Sequence, residues 1–392
     1  MASKLIADVS KNGADFLSSD DDEARQKAIA AAYALIQELE NPGEQMARIG
    51  WGEPTRTAAL QVAFELGLLK KLAADPQSSR QLANGTGAET ELVARTLKHL
   101  AANGIIKEVG EDQYVGTPFS MATNDPTIAG GLVYSFEAMI PTFMNLSQFL
   151  AKTNYKVPMD DNDSPVKYAL KIDSNFFAYL RENQKVGTAF NDFMTGYAMA
   201  RPRWFDFYPV EERLGKSQQQ GKGPLLVDVG GGVGHELAGL HAKHPNLPGQ
   251  LVLQDQPSVI AEAVQKGELP RAIHAVPHDF FTPQPDEFRG ATAYYMRLIL
   301  HDWPDNKCIT ILSHLHNAMV PGHSKLLINE TVLKDVGASW QQTSLDWTMM
   351  GMLVNRERTE AQWTALLAKA GLKITGIWTK GNESVIEAVR ET

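Results

Sequence analysis

Along the first hundred residues apolar side chains recur at helical spacing; further on they gather into short unbroken runs. Ala24 to Leu39 sets Ile29, Ala32, Leu35, Ile36 and Leu39 on one stripe, with Ser18-Ser19-Asp20 as the cap ahead of it. Ala59 to Leu72 repeats the pattern and Ser78 to Ala83 shortens it. Glu89 to Ala102 puts Leu92, Val93, Leu97 and Leu100 on one side. Ile105 to Val109 and Gln113 to Val115, parted by Gly110, read as a two-stranded hairpin. From Leu225 the pattern changes. Leu225–Val227 with Val229, Leu251–Gln254, Ala293–Leu300 and Lys325–Ile328 are apolar runs of strand length, as buried strands require. Helices are expected from near His235 and over Glu360 to Ala370. The succession predicts an α/β sheet with helices on both faces behind an all-helical N-terminal part. We divide the chain into residues 1–120 and 121–392.

The order helix, helix, helix, hairpin between Thr55 and Thr117 is a winged-helix pattern, which raises DNA binding and a non-catalytic regulator. The third helix argues against both. It offers Arg95, Lys98 and His99 against Glu89 and Glu91, so it makes no basic stripe. A net charge of −9 and a pI near 5.6 point the same way. The arm over residues 1–50 is amphipathic, and its apolar face must pack on its own subunit or across a homodimer.

Composition narrows the setting. A chain of 392 residues that is 43% hydrophobic and 21% charged is an ordinary globular one, long enough for two domains. A single cysteine, Cys308, leaves no internal disulfide and no cysteine metal cluster, as a reducing compartment would favour. No apolar run reaches the ~20 residues of a membrane span, and the N-terminus has no signal-peptide core. A soluble, cytoplasmic protein is expected, with no membrane or nucleic-acid partner.

The segment Leu225 to Glu236, LLVDVGGGVGHE, is a strand running into a glycine turn. It lacks the third glycine of the dinucleotide fingerprint, because His235 stands there. The spacing that fits is D-x-G-x-G-x-G, from Asp228 through Gly230, Gly232 and Gly234. One strand later Asp255 lies where an acid binds both hydroxyls of a ribose. Asp279 and Phe280, at the end of a third strand, offer a carboxylate and an aromatic face to an adenine. No Walker lysine follows the glycines, so the pocket asks for an adenosine and not for ATP.

Candidate chemistry lies on Ala293 to Asp305, AYYMRLILHDWPD, where His301 should fall at the C-terminal edge of a strand. Glu330 ends the next strand, and Glu357 precedes the last helix. Either carboxylate can hold one imidazole nitrogen protonated and leave the other free to take a proton. Asp302 reads as a helix cap and Arg358 as a salt-bridge partner. No set of clustered carboxylates for magnesium is evident, and no metal is expected. Residues 126–210 are rich in large apolar side chains. Phe190, Met194 and Tyr197 there, with Met350 further on, are candidates to line a substrate cavity. Lys216 to Pro224 is a polar linker into the sheet.

VDVGGGVG, LQDQP, HDFF, LHDWPD, LLINE and RERTE occur in that order from Val227 to Glu360. In this the chain resembles the class I S-adenosylmethionine-dependent O-methyltransferases of the plant caffeic-acid type, above all their fungal secondary-metabolism relatives. The resemblance implies a Rossmann-like sheet binding S-adenosyl-L-methionine and an N-terminal winged-helix domain that serves a homodimer. It implies His301 as general base, supported by Glu330 and Glu357, acting on a hydroxyl of an apolar, aromatic or polyketide-derived metabolite. The chain departs from the plant pattern at Arg297, where those enzymes carry lysine. That arginine resembles a fungal branch of the same fold that binds the cofactor unconsumed and catalyses dehydration and pericyclic ring closure. Methyl transfer is the first reading, and pericyclic chemistry through Arg297 the alternative. Whether Arg297 touches cofactor or substrate stays open.

Overall fold

A helical hairpin leads the chain in the computed structural model, which describes residues 1–72, 75–199, 201–215, 223–267 and 269–391. Helices α1 (Ala2–Ser19) and α2 (Asp22–Leu39) meet at Asp20, whose φ of 54° reverses the chain. The cap expected at Ser18-Ser19-Asp20 is therefore split. Ser18 and Ser19 end α1, donating to the Asp15 carbonyl, and Asp21 caps α2 by accepting from the Glu23 amide. Next come α3 (Pro42–Ala47), α4 (Glu53–Glu65), α5 (Leu68–Lys71), α6 (Ser79–Ala83) and α7 (Thr90–Ala102). Gly67, at φ 66°, breaks the continuous helix expected over Ala59 to Leu72 into α4 and α5. Strands β1 (Lys107–Gly110) and β2 (Gln113–Val115) form the antiparallel hairpin, and α8 (Pro118–Ala122) follows. Val93, Leu97 and Leu100 bury against Leu68, Leu82, Ile106 and Tyr114. Leu92 does not join them. It is 49% exposed, because one residue turns a helix by about 100° away from the Val93 face.

Residues Met1–Ala129 and Gly130–Thr392 form two compact units. The second holds α10 (Ile140–Lys152), α11 (Pro165–Leu170), α12 (Phe176–Glu182), α13 (Gln184–Met199) and α14 (Val210–Arg213), preceded in sequence by α9 (Pro126–Tyr134). Tyr134, Phe176, Phe190 and Phe193 interlock with ring centroids 5.2 to 6.1 Å apart, an aromatic cluster that fixes α12 against α13. Of the polar linker expected from Lys216 to Pro224, residues 216–222 lie outside the described residues.

The remaining elements are β3 (Leu226–Val229), α15 (His235–Lys243), β4 (Leu251–Asp255), α16 (Pro257–Lys266), β5 (Ile273–Pro277), β6 (Ala293–Arg297), α17 (Asp305–Ala318), β7 (Lys325–Glu330), β8 (Val332–Leu333), α18 (Trp340–Leu353), β9 (Arg358–Thr359), α19 (Glu360–Lys369), β10 (Leu372–Lys380) and β11 (Glu383–Arg390). Seven of the strands form one sheet in the order β10-β11-β7-β6-β3-β4-β5. The pairs from β7 to β5 are parallel, and β11 and β10 run antiparallel at one edge. Alternate residues feed two cores. Val227, Tyr294, Met296, Leu326 and Ile328 pack with α17 and α19 on one face; Leu226, Leu253, Tyr295 and Leu327 pack with α15, α16 and Trp204 on the other. Removing one such side chain, as in Leu327→Ala, costs about 2–5 kcal/mol. The strand order reverses between β3 and β6, which opens a crevice at their C-terminal ends. No helix among the described residues is long and apolar enough to cross a membrane.

Candidate active site

Asp228, Gly230, Gly232 and Gly234 build one wall of that crevice. All three glycines have positive φ, and a Cβ on Gly230 would stand 2.8 Å from Ile299 Cδ1. The Gly230 and Gly231 amides donate to the Gln254 carbonyl at 2.8 and 3.1 Å, which folds the turn back over β4. Asp255 at the tip of β4 accepts from the Gly232 amide at 2.8 Å and from the Gln256 amide at 2.7 Å. Asp279 is exposed and accepts from the Phe281 amide, and Phe280 packs with Phe281 and Trp303. Asp228 is buried with Oδ2 unpartnered. Burial, then the nearby Glu236 and Asp255, push its pKa well above the carboxylate range, against Arg297.

On the other side of the switch point β6 ends at Arg297, earlier than the run Ala293–Leu300 suggests. Leu298 takes φ 52°, a conformation a branched side chain adopts only under constraint, and the chain turns into a 3-10 segment, Leu300–Asp302. The constraint is Glu330. Its Oε1 accepts from the amides of Ile299 (3.1 Å), Leu300 (2.9 Å) and His301 (3.4 Å). His301 thus rides on a turn, not on the strand. Arg358, 1% exposed, grips the same turn from outside: it donates to the carbonyls of Leu300 and Trp303 and pairs with Asp305 at 2.9 Å.

His301 Nδ1 lies 2.8 Å from Glu357 Oε1 and 3.6 Å from Glu330 Oε2, and Nε2 lies 3.6 Å from Asp302 Oδ1. Glu357 is itself held by its amide, which donates to Asp346. Burial opposes a charge on the imidazole, but Glu330, then the hydrogen bond and charge of Glu357, then Asp302 outweigh it and raise His301 to about 10. Burial raises Glu330 to about 7, with His301 pulling the other way. The surrounding carboxylates therefore favour the doubly protonated imidazole. Asp302 does not cap α17, whose N-cap is Pro304; it stands beside the imidazole. The carboxylates are also more clustered than expected. One ligand atom from each of His301, Glu330 and Glu357 lies within 4.8 Å of the others, a spacing that could hold a metal ion.

Arg297 Nη1 donates to Glu236 Oε1 at 2.7 Å, and Arg203 Nη1 meets the same oxygen at 2.6 Å. Glu236 Oε2 and Arg297 Nε and Nη2 are buried without partners. Neither Glu236 nor Arg203 was among the expected site residues. An acid in the first turn of a helix reads as a dipole partner, and nothing local ties it to arginines so distant in sequence. Of the residues expected to line a cavity, Phe190 sits in the aromatic cluster, Tyr197 lies under Arg201, and Met194 and Met350 are half-buried.

The O-methyltransferase domain family matches residues 213–373. The O-methyltransferase mfmE of Annulohypoxylon moriforme is 35% identical over 389 residues, covering 98% of this chain and 94% of that protein. A solved structure described as a pericyclic reaction enzyme superposes with a TM-score of 0.86 at 30% identity, over 100% of both chains. The structure of OxaC in complex with SAH and oxaline does so with a TM-score of 0.81 at 26% identity, over 100% of this chain and 99% of that one.

Proposed function

The chain belongs to the O-methyltransferase family, and on that premise we propose that it methylates a hydroxyl of an apolar, aromatic or polyketide-derived secondary metabolite with His301 as general base. The family's cofactor is S-adenosyl-L-methionine, and when bound it supplies an electrophilic methyl group on a sulfonium. The crevice residues fit such a molecule. The glycine turn leaves room that a Cβ at Gly230 would fill, and the orphaned oxygens of Asp228 and Glu236 suit an ammonium. Asp255 and Asp279 are assigned to the ribose and adenine, with Gly232, Gly234 and Phe280 beside them.

The observation that carries the reading is the short contact between His301 Nδ1 and Glu357, with Glu330 behind it. Glu357 keeps Nδ1 protonated and the ring oriented, so Nε2 is the atom that takes the substrate proton. A base so placed contributes roughly 10²–10⁴-fold. Its high resting pKa means that His301 must first lose a proton from Nε2, and any cation brought close favours that loss. The exposed apolar side chains Ile29, Tyr33, Ile36 and Leu39 on α2 support a second copy of the chain as partner.

Two observations favour a second reading, in which the protein catalyses dehydration or pericyclic ring closure. Arg297 keeps two buried donor nitrogens free, and a protonated His301 can donate as well. Together they would stabilise charge on a substrate carbonyl. Turnover with a panel of hydroxyarenes, followed by mass spectrometry of cofactor and product, separates the two. Methyl transfer requires S-adenosylhomocysteine in equal amount to a product carrying one more methyl, both lost in His301→Ala. Product formed without S-adenosylhomocysteine, and lost in Arg297→Ala, would reverse the choice.

A further inference from the structure

One buried cation has no part in the chemistry assigned so far. Arg201 follows α13, and its side chain is 8% exposed. Nη2 is ion-paired with Glu383 and donates to Thr331 Oγ1 at 3.3 Å, and the guanidinium carbon lies 4.6 Å from the centre of the Tyr197 ring. Nη1 is buried and has no acceptor. A guanidinium does not shed its proton, so this donor cannot be silenced. Leaving it unpaired is costly, and a ligand oxygen would satisfy it.

Its surroundings are those of the reacting groups. Thr331 directly follows Glu330, whose Oε2 is 3.6 Å from His301 Nδ1. The Tyr197 phenol is raised by burial first, and the charges of Arg201, Glu383, Glu357 and Arg297 all act on it. Charge then selects the ligand. Glu383 is 1% exposed and already balances Arg201, so a second anion would be left uncompensated in a buried place. A neutral oxygen acceptor would not.

We infer that Arg201 contacts the substrate, donating from Nη1 to a carbonyl oxygen conjugated with the hydroxyl that His301 deprotonates. The substrate class is then an acyl-substituted phenol or enol, held flat against Tyr197. The inference rests on the hydroxyl-methylation reading. When the O–H bond breaks, the proton passes to His301 Nε2. The electron pair left on oxygen spreads through the conjugated system to the carbonyl oxygen, where the Arg201 N–H meets the growing charge.

Matched pairs test it: 1-naphthol against 2-acetyl-1-naphthol, and 1-hydroxyanthracene against 1-hydroxyanthraquinone. Calorimetry with S-adenosylhomocysteine present gives affinities, and absorption against pH gives the ionisation of the bound hydroxyl. The carbonyl-bearing member should bind at least about tenfold tighter, and its hydroxyl should ionise at lower pH bound than free in solution, with both effects lost in Arg201→Met. Because that change strands Glu383, Arg201→Met with Glu383→Gln is made alongside it. A wild-type protein that prefers neither member of any pair, or binds none, overturns the inference; so does a preference that survives in both variants. Methyl transfer without a carbonyl preference would sink this inference and spare the His301 base. Carbonyl-dependent binding with no S-adenosylhomocysteine formed on turnover would do the reverse.

Discussion

Glu357→Gln isolates the charge that holds His301 protonated, because the glutamine carbonyl can still accept from Nδ1. The contact is 2.8 Å, which places the charge centres about 4 Å apart. At an effective dielectric near 20 the attraction is about 4 kcal/mol, or about three pH units at 1.36 kcal/mol each. Glu330 and Asp302, each 3.6 Å from the ring, remain. The midpoint should therefore fall from about 10 by one to three pH units, and not to the value of a free imidazole. The sign follows for stability. A histidine raised in the fold stabilises it fully below pH 6.5, and that contribution is lost as pH rises through about 10. The variant's deficit in Tm should therefore shrink as pH climbs across that window. Protein labelled with ¹⁵N-histidine gives the titration directly, and His301→Gln identifies the resonance among the ten histidines. A wild-type His301 titrating near 6.5, or one unmoved by Glu357→Gln, would refute the electrostatic account and with it the role given to Glu357.

Asp255→Ala should abolish S-adenosylhomocysteine binding in calorimetry, since the acid both orders the Gly232 amide and faces the assigned ribose; undiminished affinity would remove Asp255 from that role. Arg358→Met unties the turn that carries His301 and leaves Asp305 with Arg356 alone. It should cost about 3–5 kcal/mol in urea unfolding, and a loss under about 1 kcal/mol would show that the turn is held by Glu330 by itself. Light scattering should give the mass of two chains, and Ile29→Asp with Ile36→Asp should halve it. A single-chain mass for the wild-type protein would contradict the dimer.

What could be read in the sequence was local. An apolar run ending in an acid and glycines can hardly be anything but β3 and its turn, and Asp255 at the tip of β4 follows from the same logic. His301 and Glu330 were read at the ends of successive strands, which the sheet sets side by side as β6 and β7, while Glu357 was read in the loop ahead of the last helix. The early end of β6 was hidden, because Ala293–Leu300 is apolar on both sides of Arg297 and the carboxylate of Glu330, which holds the amides after the left-handed Leu298, comes from the next strand. Glu236 was hidden for a similar reason: its partners Arg203 and Arg297 reach it only through the tertiary fold. Leu92 misled because one apolar residue beside a stripe looks like part of it.

The balance of charge around the crevice bears on how a turnover ends. Asp228, Glu236, Asp302, Glu330 and Glu357 are set against Arg203, Arg297 and His301, five carboxyl groups to three cations. S-adenosylmethionine and S-adenosylhomocysteine differ by one positive charge on sulfur. Burial holds Asp228 and Glu330 toward their neutral forms, and a positive charge brought beside them favours their ionised forms, which weights the crevice toward the charged ligand. In a methyltransferase that bias acts as an eviction: losing the methyl removes the charge that held the ligand, and the spent form yields its place to a fresh one without any moving part. The same bias would act as a latch if the sulfonium were never discharged, keeping one molecule in the crevice through many cycles.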